Sequence, residues 1–123
     1  MKDLRIETEP RESGGYPVQL IRVVGYVDAS SFPRFEEEMQ GLIDGGHFRL
    51  LLDLREATYM CSTALGLLMK VFGEVRQKSG DLVIAEMPEK IANIFNLLGF
   101  SRLIPAFASV EEALRCLGTA EPA

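Results

Sequence analysis

Residues 59–66, Tyr59-Met60-Cys61-Ser62-Thr63-Ala64-Leu65-Gly66, hold the side chains best able to do chemistry in this chain. They follow a compact apolar strand and open an amphipathic helix, which sets a hydroxyl residue at a helix N-terminus. Unpaired backbone N–H groups there attract negative charge and can receive a phosphate. Ser62 therefore reads either as a phosphate-accepting hydroxyl or, more plainly, as an N-cap. Cys61 at the same terminus is a candidate nucleophile, because helix N-termini favour thiolates. A phosphatase-type C-x5-R loop, however, needs Arg at position 67, where Leu67 stands. His47 lies near the opposite end of the strand that leads to Ser62, which argues against a Ser–His pair. No P-loop, GxGxxG or metal-ligand spacing is present. Asp28 and Asp53 are two carboxylates whose spacing singles out nothing. Catalysis is not expected, and neither a cofactor nor a metal.

The elements that must position Ser62 can be read from periodicity. Leu4 to Thr8 alternates as a half-exposed strand, Glu9 to Gly15 reads as a charged loop, and Val18 to Val27 as a second strand broken by Gly25. Asp28-Ala29-Ser30-Ser31 offers several caps for a helix carrying Phe32, Phe35, Met39, Leu42 and Ile43 on one side. Pro33 fits its first turn, and Gly45-Gly46 ends it. Phe48 to Leu54 is a nearly continuous apolar run, as expected for a central strand covered on both faces. A second helix is expected from about Thr63 to Lys78, then a strand at Leu82–Ala85. A third helix carries Ile91, Ile94, Phe95 and Leu98, a short extended piece lies near Leu103-Ile104, and Ser109 caps a last helix. The order predicts a single α/β domain, a mixed sheet of four to five strands packed with about four helices. Its bounds are residues 3–118, with 119–123 as a disordered tail.

The second helix is more specific than its composition. At helical spacing, Ala64, Leu65, Leu67, Leu68, Val71, Phe72 and Val75 share one wide core face. Ser62, Gly66, Met69, Gly73 and Arg76 run down the other. Glycine inside a helix costs about 0.5–1 kcal/mol relative to alanine. Either Gly66 and Gly73 flatten a surface that another protein approaches beside Ser62, or they fit beneath a loop of the same chain. In the first reading Met69 is an adaptable exposed contact.

Bulk properties narrow the partners. The 123 residues suit one domain, 47% are apolar and 25% charged, and the net charge is −5. Without a Lys/Arg run, nucleic acid and anionic membrane are poor partners. Met1 to Arg5 lacks the apolar core of a signal peptide, and no run is long enough to insert in a membrane. Cys61 and Cys116 read as free thiols of a reducing cytoplasm.

Several segments together resemble the STAS domains, and among them the bacterial anti-sigma-factor antagonists. Val24-Gly25-Tyr26-Val27-Asp28-Ala29 resembles that family's G-E-L-D segment, and Leu51-Leu52-Asp53-Leu54 its L-D-L strand. Met60-Cys61-Ser62-Thr63-Ala64-Leu65-Gly66 resembles its M-D-S-S-G-L-G signature. Gly80 to Ile84 and Ile94 to Phe100 also match family segments, so the likeness spans about Leu4 to Leu117. Three positions depart from the pattern: Cys61 replaces an Asp, Ala64 a Gly, and Tyr26 an acidic residue.

The resemblance implies a partner-switching regulator. The unmodified protein would bind an anti-sigma factor with serine kinase activity and so release a sigma factor. The kinase, using its own ATP and magnesium, would phosphorylate Ser62 and end the complex, and a serine phosphatase would reset it. Asp28 and Ser30 belong to the adjoining contact loop. Met60, Cys61, Thr63, Gly66, Met69 and Gly73 complete the expected surface. The alternatives are a STAS interaction module that is not phosphorylated, serving as a signalling scaffold or transporter subunit, and a small-ligand sensor.

Overall fold

The computed structural model describes residues 3–118; the tail expected at 119–123 lies outside the described residues. β1 (Leu4–Ser13) and β2 (Tyr16–Val27) form one long antiparallel hairpin, in register from Leu4 opposite Gly25 to Ser13 opposite Tyr16. Residues 9–13 are therefore strand, where the composition suggested loop. Glu7, Glu9 and Arg11 alternate onto one face of the hairpin, so a run that looks merely polar is period-2. The turn is Gly14-Gly15, with φ of +59° and +84°, the conformation that two-residue hairpins require.

β2 pairs with three strands of the sheet, β1, β3 and β4. On its second edge it pairs in parallel with β3 (Arg49–Asp53), from Gln19 opposite Leu50 to Arg22 opposite Asp53. Farther on, the same edge pairs in parallel with β4 (Ala57–Met60), from Gly25 opposite Ala57 to Val27 opposite Met60, with a register shift at Gly25/Tyr26. β5 (Asp81–Ala85) lies parallel to β3, and β6 (Ala106–Phe107) parallel to β5. The six-stranded sheet runs β1-β2-β3-β5-β6, with β4 taking the lane beyond the end of β3. The extended piece expected at Leu103-Ile104 is instead a 3-10 turn (Phe100–Arg102) and its exit, and the strand follows at Ala106. Ile104 is fully buried there while Leu103 is 56% exposed.

Period-2 alternation sends the two halves of each strand to different layers. Ile21, Val23, Leu50, Leu52, Leu82 and Ile84 face the main core beneath α1 (Phe32–Asp44), α2 (Ser62–Gln77) and α3 (Glu89–Leu97). Val18, Leu20, Leu51, Val83 and Ala85 face the other way, against α4 (Val110–Leu117) alone. One helix cannot cover a sheet this wide. The rest of that face is polar, tied by Arg22 to Glu7, Glu9 and Asp53 at 3.7, 3.8 and 3.4 Å.

The connections place all three core-side helices with their N-termini at the same end of the sheet. Each follows the C-terminal end of a parallel strand: α1 after β2, α2 after β4, α3 after β5. Gly25 is needed where this end is built. Its φ is +98°, and a Cβ would strike the carbonyl oxygen of Asp3, just before β1.

Candidate functional site

Two loops meet at this end. Val27 of β2 pairs with Met60 of β4, and the Cys61 amide donates to the Val27 carbonyl at 2.9 Å. The residues that follow, Asp28 on one side and Ser62 on the other, therefore emerge from adjacent strand ends. Sequence separation hides this; parallel pairing creates it.

The N-cap of α2 is Cys61, not Ser62. Cys61 has extended geometry (φ −69°, ψ 162°) and its side chain makes no capping bond. It is half-buried against the main core. Ser62 is the first helical residue, exposed, and its hydroxyl makes no hydrogen bond with any described residue. The first helical bond runs from the Leu65 amide to the Cys61 carbonyl at 3.1 Å. The amides of Ser62, Thr63 and Ala64 thus have no intrahelical acceptor, and the helix dipole adds its positive end. Thr63 is exposed beside Ser62.

The Asp28 loop is held by its own side chains. One carboxylate oxygen accepts from the Ser30 hydroxyl at 2.7 Å, the Ser30 amide at 3.1 Å and the Ser31 amide at 3.2 Å. These bonds, the Ser30 hydroxyl foremost, hold the Asp28 carboxyl below the usual range. Ser31 takes the N-cap position of α1 without capping it. Its hydroxyl instead donates to the Tyr26 carbonyl at 2.8 Å and accepts from the Asp28 amide at 3.0 Å. Ser31 is thus a brace for the loop, a role that its sequence position among four candidate caps did not disclose.

Along α2, Ala64, Leu65, Leu67, Leu68, Val71 and Val75 are buried, as their spacing predicts. Gly66 and Gly73 are exposed, and a Cβ at either would meet nothing within 4 Å. No loop of the described chain requires glycine at these places. Met69 is half-buried, resting against the core, and not a fully exposed contact. Met60 does not reach the surface: it is 0% exposed, paired in register with the equally buried Val27 of β2. The structure therefore gathers Asp28, Ser30, Ser62, Thr63 and Gly66 at one end, continues down α2 to Gly73, and removes the Met60 side chain from the expected surface.

Among the described residues, no group of three or more His, Cys, Asp or Glu side chains could hold a metal ion, and no helix is long and apolar enough to cross a membrane. Two open depressions, of about 480 and 510 Å³, lie between β6 and α3 and along α1 beside Lys70. Ser62 lines neither.

The comparisons with known proteins agree with this architecture. A family model described as STAS domain matches residues 10–113. A Bordetella bronchiseptica protein named as an anti-sigma factor antagonist, BtrV, is 31% identical over 98 residues, covering 80% of this chain and 84% of its own. The crystal structure of an anti-sigma factor antagonist from Mycobacterium paratuberculosis superposes with a TM-score of 0.78 at 18% identity, covering 94% of this chain and 96% of that one. The Bacillus cell fate determinant SpoIIAA in its phosphorylated form gives 0.67 at 17% identity, covering 89% and 96%. With a family model over most of its length and a relative of this similarity, the chain belongs to the STAS domain family.

Proposed function

We propose that this chain is an anti-sigma-factor antagonist, a cytoplasmic binding protein whose partner is an anti-sigma factor with serine kinase activity. Phosphorylation of Ser62 switches the complex off. The observation that carries the reading is the meeting of two loops: an exposed, unbonded Ser62 hydroxyl stands beside the braced Asp28 loop because β2 and β4 pair in parallel. The names of the relatives support the same role, and a solved structure of the same fold is of a phosphorylated form.

The switch is electrostatic. A phosphoserine carries about −1.5 to −2 charges at neutral pH and three strong acceptor oxygens. On the free protein, the N-terminus of α2 and solvent accommodate that charge. Against a flat partner surface beside Gly66, the phosphate must shed water without a matching cation, and affinity falls. The chain offers the hydroxyl; nucleotide and catalysis belong to the kinase, and a serine phosphatase reverses the modification.

The test is a comparison of wild-type protein with Ser62→Asp as bait in lysate of the source cell, with captured proteins identified by mass spectrometry. Wild type alone should capture a kinase-like anti-sigma factor, and that kinase with ATP and magnesium should add one phosphate to wild type and none to Ser62→Ala. Equal capture by both baits, or phosphate elsewhere, would reject the switch.

A further inference from the structure

We infer that Ser31 is the positioning residue of this site. Its hydroxyl ties the Asp28 loop to the end of β2 and holds the Asp28 carboxylate with one oxygen open, a fixed acceptor for a cationic group of the anti-sigma factor. The inference rests on the partner reading above and adds a residue outside the surface expected from the sequence.

The start of α1 leaves a capping side chain nothing to satisfy. The Phe32 amide donates to the Asp28 carbonyl at 2.8 Å, and the Arg34 and Phe35 amides donate to the Ser31 carbonyl at 3.1 and 3.3 Å. Residue 33 is proline, which has no N–H. A serine at an N-cap ordinarily bonds one of these amides. Here the hydroxyl is turned to another use and bridges two residues of the preceding chain. It donates to the Tyr26 carbonyl at 2.8 Å and accepts from the Asp28 amide at 3.0 Å. Tyr26 and Val27 are the residues that pair with Tyr59 and Met60, and the Val27 carbonyl takes the Cys61 amide. Ser31 thus fastens the Asp28 loop to the same stretch of β2 that places Ser62.

The loop so held uses its carboxylate on one side only. Oδ1 of Asp28 accepts from the Ser30 hydroxyl and from the Ser30 and Ser31 amides, while none of the described residues donates to Oδ2. The bonds to Oδ1 also keep the carboxyl ionised. An ionised oxygen whose orientation is set before a partner arrives suits a lysine or arginine, because the bond is charge-assisted and little ordering remains to be done on binding. Ser30 shares the carboxylate but not the tie to β2: it is exposed, and its bonds run within the loop.

The experiment titrates a purified serine-kinase anti-sigma factor of the source cell into wild type, Ser31→Ala, Ser31→Thr, Asp28→Ala, the Ser31→Ala/Asp28→Ala double variant and Ser62→Asp, with thermal melting of each. Ser31→Ala should weaken binding about tenfold, and Ser31→Thr, which keeps the hydroxyl, should stay within about twofold of wild type. In the Asp28→Ala background, Ser31→Ala should cost no more than about twofold further, because the hydroxyl acts through the carboxylate. Ser31→Cys, close in size but a weak donor and acceptor, replaces Ser31→Ala throughout if alanine does not fold. The same loss in both backgrounds would make Ser31 a support of the fold alone and overturn the assignment. Wild-type affinity without the hydroxyl, with binding lost in Ser62→Asp, would also overturn it and leave the switch standing. No binding by wild type would overturn the partner reading itself, and this inference with it.

Discussion

A helical glycine in open solvent is a local cost that the fold of this chain does not explain. A methyl group placed on Gly66 or Gly73 would meet no atom within 4 Å, so alanine fits at both. Gly66→Ala should raise stability by about 0.5–1 kcal/mol, the ordinary helix-propensity difference, read from urea unfolding. Gly66→Arg should leave the unfolding midpoint within experimental scatter yet abolish capture of the anti-sigma factor, because a long cation then stands beside Ser62. Unfolding of Gly66→Arg, or undiminished capture by it, would count against this surface. Three neighbours of Ser62 also differ from the family pattern. Cys61 is a half-buried N-cap, Ala64 is buried, and Tyr26 is half-buried. None of the three puts a side chain across the Ser62 hydroxyl, which remains exposed.

At the scale of the element, α2 is held by its core face and left weak at its start. Six buried apolar residues fix it to the sheet, but its N-cap side chain makes no hydrogen bond. Cys61→Ser keeps the size of the side chain and supplies a capping oxygen in the extended backbone geometry that N-caps adopt. The variant should be more stable by about 0.5–1 kcal/mol, with slower hydrogen exchange confined to the amides of 62–64. Exchange slowed along the whole helix would mean that the cap is not the weak point. The contrast with α4 is instructive: there Ser109 accepts from the Glu112 amide at 3.2 Å, and Glu111 and Glu112 sit in the first turn. An acidic first turn suits a structural helix; α2 has none, which keeps its N-terminus open to an added phosphate.

Across the whole molecule, the end of the sheet opposite Ser62 carries a buried charge of its own. Asp81, 6% exposed at the start of β5, accepts from the Leu82 amide at 2.9 Å and lies 3.6 Å from Arg76 of α2. Arg49 of β3 donates to the Leu117 carbonyl of α4 at 2.7 Å and stacks over Tyr16 at 3.9 Å. Burial nevertheless pushes the Asp81 carboxyl above its usual range, outweighing the Leu82 amide and the two arginines. A carboxyl raised in the folded state contributes most stability below the ordinary carboxylate range and loses it as pH rises through the raised value. Asp81→Asn retains an acceptor and sheds the charge, so it should be more stable at pH 7, by up to about 1 kcal/mol. The advantage should shrink as the wild-type carboxyl protonates on acidification. Binding of the anti-sigma factor should not change, since the proposed site is at the other end of the strands.

Much of this could be read from the chain alone, and the reason is periodicity. Apolar spacing marked all four helices and the buried face of α2, and the hydroxyl at its start marked Ser62. What periodicity could not show was anything decided by pairing between strands. Residues 9–13 became strand only because β2 runs antiparallel beside them. β4 is four residues long, too short for alternation to announce itself, and it is ordered by pairing with β2 beyond the end of β3. That single pairing buries Met60, turns Tyr59 outward and makes Cys61 the cap. It also sets Asp28 next to Ser62. The sequence determined which residues could accept a phosphate; the parallel ladder between β2 and β4 decided which surface surrounds it, because hydrogen bonds between distant strands have no local signature.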